Sequence, residues 1–258
     1  MKTAIVANQK GGVGKTTVAR HLVFYGLMKN LRVLAVDLDV QKNLTTTCHN
    51  IAIENGLPLR DNALMATGLF STSNHTPLEC SKNLWLVGAD DGIVGIERSE
   101  LDTIIRTGQA RFKELSKHFD VCIIDTGPAV SNLLVVALAV GDFAVSPCKP
   151  DRDAIAGLAG FFSNVVRVRD ETGINPRLAS LGVLLNQVVQ KRAYHRDVIN
   201  DMRAHWKEGV LPVELYERAA IDMAKDRPVW MTDKGESRSL AAKEMKAVCA
   251  CIYQRMGV

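Results

Sequence analysis

The sequence lacks an apolar run long enough to cross a bilayer. Its longest such run, Leu133–Val140, ends at a glycine and an aspartate, whereas a membrane-spanning helix needs about 20 apolar residues. The short apolar stretch at Met1–Ala7 stops at Asn8, too early for the hydrophobic core of a secretory signal. We therefore expect neither a membrane span nor secretion.

Cysteine pairs of the metal-binding or disulfide type are also missing. The six cysteines include no CxxC pair and have no nearby histidines at zinc-binding spacing. Cys122 and Cys148 fall in apolar runs, where free thiols behave as small hydrophobic side chains. Cys249 and Cys251 are close enough in sequence to bind a metal or to react, but a structural role is the simpler interpretation. The pattern is typical of the reducing cytoplasm, where we expect the protein to be.

A strong excess of one charge is absent as well. The 32 basic and 28 acidic side chains leave a net charge of +4, too slight to indicate a nucleic-acid partner by itself. The 47% of hydrophobic and 23% of charged residues are ordinary for a soluble globular protein, and they exclude a collagen-like fibre or a coiled-coil rod. Because no repeat or linker interrupts the chain, we expect a single domain over residues 1–258.

Apolar, β-rich runs alternate with segments of helical periodicity along the chain. Continuous apolar character, as in Val121–Ile124, predicts strands that are buried on both faces, as in a parallel sheet. The sequence therefore predicts an α/β fold with a doubly wound, mostly parallel sheet flanked by helices. Strands are expected at Lys2–Ala7, Arg32–Val36, Leu84–Val87, Val121–Ile124, Phe143–Ser146 and Leu181–Leu185. Helices are expected at about 15–29, 97–117, 129–140, 153–170, 190–207 and 238–255, and surface loops at 55–82.

A glycine-rich segment, Asn8–Thr17, joins the first predicted strand to the first predicted helix. Glycines there let the backbone turn tightly and point several N–H groups at one anion, and the helix N-terminus adds its own unpaired donors. In such a loop Lys15 is placed to reach the terminal phosphates of a nucleotide, and the hydroxyl of Thr16 to ligate Mg²⁺. The strict pattern GxxxxGK(S/T) fails because Gln9 occupies its first glycine position, and a second lysine, Lys10, precedes the glycines. Two lysines crowded beside one loop indicate that the loop binds an anion.

The segment KGGVGKTT at 10–17 resembles the deviant Walker A motif of the ParA/MinD family of P-loop ATPases, and the likeness to ParA extends over nearly the whole chain. Residues 33–45 resemble the second motif of that family, and residues 121–128 resemble its Walker B strand and switch. Val40 stands where the second motif usually has proline, and Lys42 stands where it usually has glycine. Neither departure removes a catalytic group, but both bear on the shape of the loop.

The resemblance implies an enzyme that hydrolyses ATP with the help of Mg²⁺. It implies that Asp39 orients the attacking water and that Lys10 reaches across an ATP-dependent homodimer to the phosphates of the partner subunit. The spacing of Asp37 and Asp39 leaves another option open, in which one of them caps the following turn. Asn186 falls where the family cups adenine, although an asparagine there is equally a turn former. The implied catalytic residues are Lys10, Lys15 and Asp39, and the implied metal-binding residues are Thr16, Asp37 and Asp125. The implied nucleotide-binding residues are Gly11, Gly12, Val13, Gly14, Lys15, Thr16, Thr17, Asn186 and Pro212.

A basic stripe marks the helix predicted at 190–207. At 100° per residue its arginines and its lysine fall within about 40–60° of one another, which suits contact with DNA phosphates without base reading. The alternative is the solvated face of an ordinary surface helix. The family binds DNA nonspecifically through its C-terminal region, which favours the DNA interpretation. The candidate DNA contacts are Arg192, Arg196, Arg203, Lys207 and Arg218, and Lys225, Arg227, Lys234, Arg238, Lys243 and Lys246 would widen the patch.

Through this resemblance the sequence predicts a DNA partition ATPase of the short type, without a preceding DNA-binding domain. Its ATP-bound dimer would sit on nucleoid DNA, and a ParB-like centromere-binding partner would stimulate hydrolysis and release. One alternative is a ParA-like ATPase that positions a protein cargo over the nucleoid. A second is a MinD-like ATPase at the membrane, which needs an amphipathic tail, whereas residues 247–258 fit a helix docked on the core.

Overall fold

The computed structural model describes residues 1–96, 98–128, 131–231 and 239–258, without the side chains of 152–154 and 156–157. Within these residues eight strands form one sheet in the order β3-β4-β2-β5-β1-β6-β7-β8. Every neighbouring pair is parallel except the antiparallel pair β3–β4 at one edge. The strands are β1 (Lys2–Val6), β2 (Val33–Leu38), β3 (Leu78–Ser81), β4 (Leu84–Val87), β5 (Val121–Thr126), β6 (Phe143–Cys148), β7 (Ala179–Val188) and β8 (Val210–Tyr216).

Helices cover both faces of this sheet. They are α1 (Lys15–Met28), α2 (Asn43–Glu54), α3 (Ile93–Ile96), α4 (Leu101–Leu115), α5 (Asn132–Val140), α6 (Arg152–Val166), α7 (Ala193–Trp206), α8 (Ala219–Met223) and α9 (Leu240–Met256). Short 3₁₀ segments lie at Ala66–Phe70 and Lys207–Gly209, and a π turn at Arg167–Glu171 extends α6. No described helix combines the length and the apolar character that a bilayer-spanning segment requires.

Successive residues of the central strands pack into two different apolar clusters. Ala4 and Val6 of β1 pack with α1, α2 and α9, whereas Ile5 between them packs with α4 and α5. Strands β2 and β5 are buried along their whole length. Because helices cover both faces, these strands consist of continuous apolar runs rather than alternating ones. The predicted α/β fold with a mostly parallel sheet is confirmed.

The sequence prediction omits five elements, the helices α2, α3 and α8 and the strands β3 and β8. The expectation of surface loops throughout 55–82 is wrong in part, because Leu64 and Leu69 are fully buried and strand β3 forms an edge of the sheet. Polar and turn residues surround these few apolar side chains, so neither a helical nor a strand period stands out. Strand β8 contains Pro212, which an edge strand tolerates. The helix starts predicted at 97, 129 and 238 fall outside the described residues.

The register of the sheet gathers the predicted site at one edge. Asp125, next to the end of β5, is aligned with Val6 of β1 and with Asp37 of β2. The segments that follow these parallel strands therefore emerge side by side, as at the ligand-binding edge of other open α/β sheets. They are the glycine-rich loop after β1, the Asp39 turn after β2 and the Gly127 turn after β5.

A buried histidine fastens the first helix to the segment before α9. His21 on α1 shares a hydrogen bond of 2.8 Å between its Nδ1 and the carbonyl oxygen of Thr17, and its Nε2 accepts the N–H of Val229 at 3.2 Å. Because Nε2 accepts, the ring is neutral and its proton sits on Nδ1. The ring also meets Trp230 edge-on at 5.5 Å between centroids. Burial lowers the pKa of His21 from 6.5 to about 4.

This histidine predicts a loss of stability in mild acid. The unfolded chain takes up a proton near pH 6.5 and the folded protein only near pH 4, so the free energy of unfolding falls as the pH falls through that window. The loss attributable to His21 approaches about 3 kcal/mol at its lower end. Urea denaturation across this range should therefore show a shallower pH slope for His21→Gln than for the parent. The exposed His75→Gln is the control and should keep the parental slope; an unchanged slope in His21→Gln contradicts the assignment.

Candidate functional site

The loop between β1 and α1 has the backbone shape of an anion cradle. Gly12 and Gly14 adopt left-handed conformations, with φ of +74° and +86°, which residues with a Cβ adopt only under strain. Helix α1 begins directly after Gly14, and no side chain caps its first N–H groups. These donors and the helix dipole are therefore directed at the space in front of the loop, which suits a phosphate.

The end of β7 holds this loop in place. Asn186 donates its Nδ2 to the carbonyl oxygen of Val13 at 2.7 Å, and Gln187 donates its Nε2 to that of Gly12 at 2.8 Å. A Cβ on Gly14 would lie 2.3 Å from Asn186 Nδ2, so glycine is needed here for space as well as for conformation. Asn186 is thus a brace for the phosphate loop in this structure, a role that the sequence analysis does not identify. Gln187 is missed entirely, because no motif marks it.

The two lysines of the loop have different surroundings. Lys15 is buried and donates its Nζ to the carbonyl oxygen of Lys10 at 3.1 Å. Burial lowers the pKa of Lys15, and the charges of Asp125 and Asp39 oppose that shift. The Nζ of Lys10 instead lies 3.1 Å from Asp151 Oδ1, in an ion pair whose side chains are 32% and 30% exposed. Lys15 therefore belongs to the interior of the site, whereas Lys10 lies at its rim.

Asp125 is a buried acidic side chain in an unfavourable electrostatic environment. Its side chain is fully buried, and no described residue gives either carboxylate oxygen a hydrogen bond of ordinary geometry. Burial, and after it the charge of Asp37, raises the pKa of Asp125 to about 8, while Thr16 and Lys15 act in the opposite direction. A buried carboxylate without donors costs free energy unless a cation neutralises it. Two orphaned oxygens beside the Thr16 hydroxyl suit Mg²⁺, which prefers oxygen ligands.

Asp37 has protein partners for both of its oxygens. Oδ2 accepts the N–H and the hydroxyl of Thr45, both at 2.8 Å, and Oδ1 accepts the N–H of Asp39 at 3.0 Å. Burial raises the pKa of Asp37, and these hydrogen bonds oppose the shift. Its contacts fasten the start of α2 to the end of β2. They are those of a positioning residue, so the implied role as a metal ligand gains no support from this geometry.

Asp39 begins the turn that follows β2. Its Oδ1 accepts the N–H of Gln41 at 3.0 Å, and a Cβ on Gly127 would lie 3.5 Å from the same oxygen. The carboxylate of Asp39 is therefore adjacent to the turn after β5, at the same edge of the sheet as Lys15 and Asp125. This location is compatible with the implied orientation of a water molecule.

Lys42, which stands where the family motif usually has glycine, has the backbone conformation of a glycine. Lys42 directly precedes α2 with φ of +55°, a conformation that glycine adopts without strain and lysine does not. Its Nζ pairs with Asp91. Val40, the other departure, is 48% exposed. The backbone of this turn thus keeps a glycine-like shape although the glycine is absent.

A small cavity of about 140 Å³ adjoins the phosphate loop, lined among others by Gly14, Thr17 and Asn186. Its other wall comes from the end of β8 and the chain after it, namely Tyr216, Glu217, Arg218, Ile221 and Asp222. Pro212 does not line this cavity and is exposed in the middle of β8. The geometry therefore gives no support to the predicted contact of Pro212 with the nucleotide.

The predicted basic stripe is only partly present. Arg192 and Arg196 are exposed at the start of α7, and Lys207 is exposed just beyond its end. Arg203, however, pairs with Glu214 at 2.8 Å, and Arg218 pairs with Glu244 and lies over the Tyr216 ring. The charges of Arg203 and Arg218 are therefore paired within the fold, which helical spacing alone cannot reveal. Lys234 and Arg238, which would widen the patch, lie outside the described residues.

The isolated carboxylate of Asp125 predicts a substitution that improves stability and damages function. Asp125→Asn replaces, at nearly constant shape, a buried carboxyl group that the folded protein must either protonate or keep charged without compensation. We therefore expect a gain of about 1–3 kcal/mol in the free energy of unfolding without ligands. The same variant should lose the stabilisation that Mg²⁺ and ATP together give the parent. Thermal denaturation with and without these ligands measures both effects.

Asp120→Asn is the matched control for this substitution. Asp120 pairs with Arg32 at 2.7 Å and is partly exposed, so its replacement should lower stability by up to about 1 kcal/mol and leave the ligand effect intact. A ligand-free Asp125→Asn protein that melts below the parent contradicts the account of Asp125.

Comparisons with known proteins agree with this geometry. A family model described as an AAA domain matches residues 1–180. Protein IncC of Escherichia coli is 30% identical over 261 residues, which cover 100% of this chain and 71% of IncC. The chromosome-partitioning ATPase Soj of Thermus thermophilus is 32% identical over 211 residues, 80% of this chain and 77% of Soj.

Among solved structures, the ATP complex of a Cyanothece McdA variant has a TM-score of 0.80 at 22% identity, covering 98% of this chain and 96% of that one. This likeness supports the fold. The family match and the similarity to IncC and Soj extend to the motifs as well, so this chain belongs to the ParA family of P-loop ATPases and is an ATPase.

Proposed function

We propose that this ATPase drives DNA partition, with an ATP-bound homodimer that binds DNA nonspecifically and a ParB-like partner that stimulates hydrolysis and release. The observation that carries the proposal is the arrangement of two lysines around one phosphate loop, Lys15 inside the site and Lys10 at its rim. The partition role is supported by the similarity to Soj, whose name describes chromosome partitioning. The ATP-bound form would then be associated with the nucleoid in the cytoplasm.

Each residue of the site has a separate role in ATP hydrolysis. The N–H groups of Gly11–Gly14 and of the start of α1 bind the phosphates, and Lys15 stabilises the charge on the transferred group. Thr16 and Asp125 would hold Mg²⁺, which when bound neutralises phosphate charge. Asp39 orients the attacking water, and Asp37 keeps the Asp39 turn and α2 in register through Thr45. Asn186 and Gln187 fix the loop against β7.

Lys10 connects nucleotide binding with dimerisation. In the single chain its ammonium group is paired with Asp151 and only partly exposed. To reach the phosphates of the partner subunit it must leave this carboxylate, so one ion pair is exchanged for another. An ion pair whose side chains are about one-third exposed contributes on the order of 1 kcal/mol, and a nucleotide phosphate carries more charge than one carboxylate. The exchange therefore favours the dimer when ATP is present, and dimerisation in turn strengthens ATP binding.

Lys10→Ala should separate these two functions. We expect the variant to retain nucleotide binding through Lys15 and the loop, but to lose ATP-dependent dimerisation. Sedimentation velocity with a slowly hydrolysed ATP analogue and Mg²⁺ measures the dimer, and calorimetry measures nucleotide binding. The matched variant Asp151→Asn removes the ion pair of Lys10 with Asp151 but keeps the lysine, so it should dimerise at least as well as the parent. A normal ATP-dependent dimer of Lys10→Ala rejects the role in trans.

Nonspecific DNA binding is proposed for the surface at the start of α7. Arg192 and Arg196 are exposed there next to Lys191, and none of these three side chains forms an ion pair with a described residue. Such a cluster attracts DNA phosphates without reading bases. Lys207 lies beyond the other end of the helix. Arg203 and Arg218 hold Glu214 and Glu244 and thereby shape the surface rather than contact DNA.

The test is binding to a random-sequence duplex at fixed low salt, without nucleotide, with ADP and with ATP and Mg²⁺. We expect tight binding with ATP only, and a loss of roughly tenfold or more for Arg192→Glu with Arg196→Glu, with a salt dependence flatter by about two units. Arg106→Glu with Lys113→Glu on α4 makes the same charge change on an exposed surface elsewhere and should bind like the parent.

Two results count against the DNA proposal. Absence of binding in every nucleotide state removes DNA partition as the function. Unchanged affinity of the α7 double variant assigns DNA binding to another surface.

A protein cargo is the second candidate. The maintenance of carboxysome distribution protein A of Gloeothece citriformis is 30% identical over 169 residues, 61% of this chain. Both functions use the same ATP cycle, so the cargo depends on the partner that stimulates hydrolysis. Stimulation by a sequence-specific DNA-binding protein favours partition, and stimulation by a partner without DNA affinity favours the cargo role.

A further inference from the structure

A second cavity, of about 920 Å³, lies at the opposite edge of the sheet from the phosphate loop. It is bounded by the chain that follows α2, by the loop before β3 and by the last turns of α4. No residue of the phosphate loop or of the Asp37–Asp39 segment lines it. Its volume falls in the range of small-molecule sites.

The floor of this cavity is aromatic and apolar. Trp85 of β4 and Phe119 contact each other at 5.3 Å between ring centroids, tilted by 54°. Leu57, Pro77 and Leu115 continue the apolar wall. Such a floor suits the hydrocarbon or aromatic part of a ligand, because burial there removes apolar surface of both partners from water.

Two arginines at the rim have no anionic partner within the described residues. Arg60 donates to the carbonyl oxygen of Pro77 at 3.0 Å, and Arg111 donates to that of His75, so both bond only to the backbone of one loop. The Nε of Arg111 is buried and has no acceptor at all. Guanidinium groups present several donors in a fixed plane and bind carboxylates in a bidentate manner. Both are therefore available to an anion in the cavity.

The other charges of the rim are largely neutralised. Arg32 is paired with Asp120, and Glu114 with Lys117 at 2.6 Å. Glu79 is the remaining acidic side chain of the lining, and it opposes only one of the two arginines. The rim thus keeps a net positive charge above an apolar floor.

We propose that this cavity binds a small organic anion with an apolar body, an acyl or aryl carboxylate, whose charged group is held by Arg60 and Arg111 and whose body rests on Trp85 and Phe119. The site is independent of the nucleotide site, and its test requires neither ATP nor DNA.

The experiment is calorimetric titration of the full-length chain with decanoate and with 1-naphthoate, each below its aggregation concentration, and with the neutral counterparts 1-decanol and 1-naphthalenemethanol. We expect at least one carboxylate to bind, at least tenfold more tightly than its alcohol. Arg60→Gln with Arg111→Gln should reduce carboxylate affinity at least tenfold and leave that of the alcohol unchanged. Which of the two carboxylates binds better distinguishes an acyl from an aryl ligand.

The control variants separate a binding role from a structural one. Arg60→Lys with Arg111→Lys keeps the charge and should retain most of the affinity, whereas Arg106→Gln, on the exposed side of α4, should behave like the parent. Thermal denaturation verifies that each variant is folded. Failure of both carboxylates to bind the parent overturns the proposal, as does equal affinity for acid and alcohol or undiminished binding by the double glutamine variant.

Discussion

Burial of charge at the carboxyl edge of three parallel strands is the constraint on which the rest of this structure depends. Lys15, Asp37, Asp39 and Asp125 are all buried there, and charged groups are rarely buried without partners. These buried side chains differ in the interaction partners that the fold gives them. Asp37 receives hydrogen bonds from the start of α2, Lys15 has a backbone carbonyl and nearby carboxylates, and no described residue gives Asp125 a hydrogen bond of ordinary geometry. Such an arrangement suits a cation beside Asp125 and an anion beside Lys15.

This constraint also explains why elements outside the motifs matter. The loop that must enclose phosphates is open and rich in glycine, so it needs external support to keep its shape. Asn186 and Gln187 give that support from β7, and the close approach of Asn186 to Gly14 leaves no room for a side chain there. Helix α2 is tied in a similar way, because the Asp37–Thr45 hydrogen bonds join its first turn to the end of β2. Phosphate loop, acidic turn and sheet thus form one hydrogen-bonded unit.

The sequence predicts the parts of this unit that depend on local pattern. Continuous apolar runs predict the six strands at 2–7, 32–36, 84–87, 121–124, 143–146 and 181–185, and the glycine and lysine spacing predicts the anion loop. The features that the sequence does not predict are those that depend on tertiary contacts. Arg203 pairs with Glu214, 11 residues away, and Arg218 with Glu244, 26 residues away, so both pairs depend on how different elements pack together. Likewise, the cavity beside the phosphate loop is lined by Tyr216 and residues that follow it, whereas the predicted Pro212 does not line it.

The lone carboxylate of Asp125 has a consequence for the lifetime of the protein. A ligand that binds only the folded state stabilises it by mass action, and a cation beside Asp125 would also remove the cost of keeping this buried acid protonated. Proteases degrade chains that open transiently, in proportion to how often they open. We therefore expect molecules without nucleotide and metal to open more often, and to be cleaved sooner by a protease, than molecules that hold both.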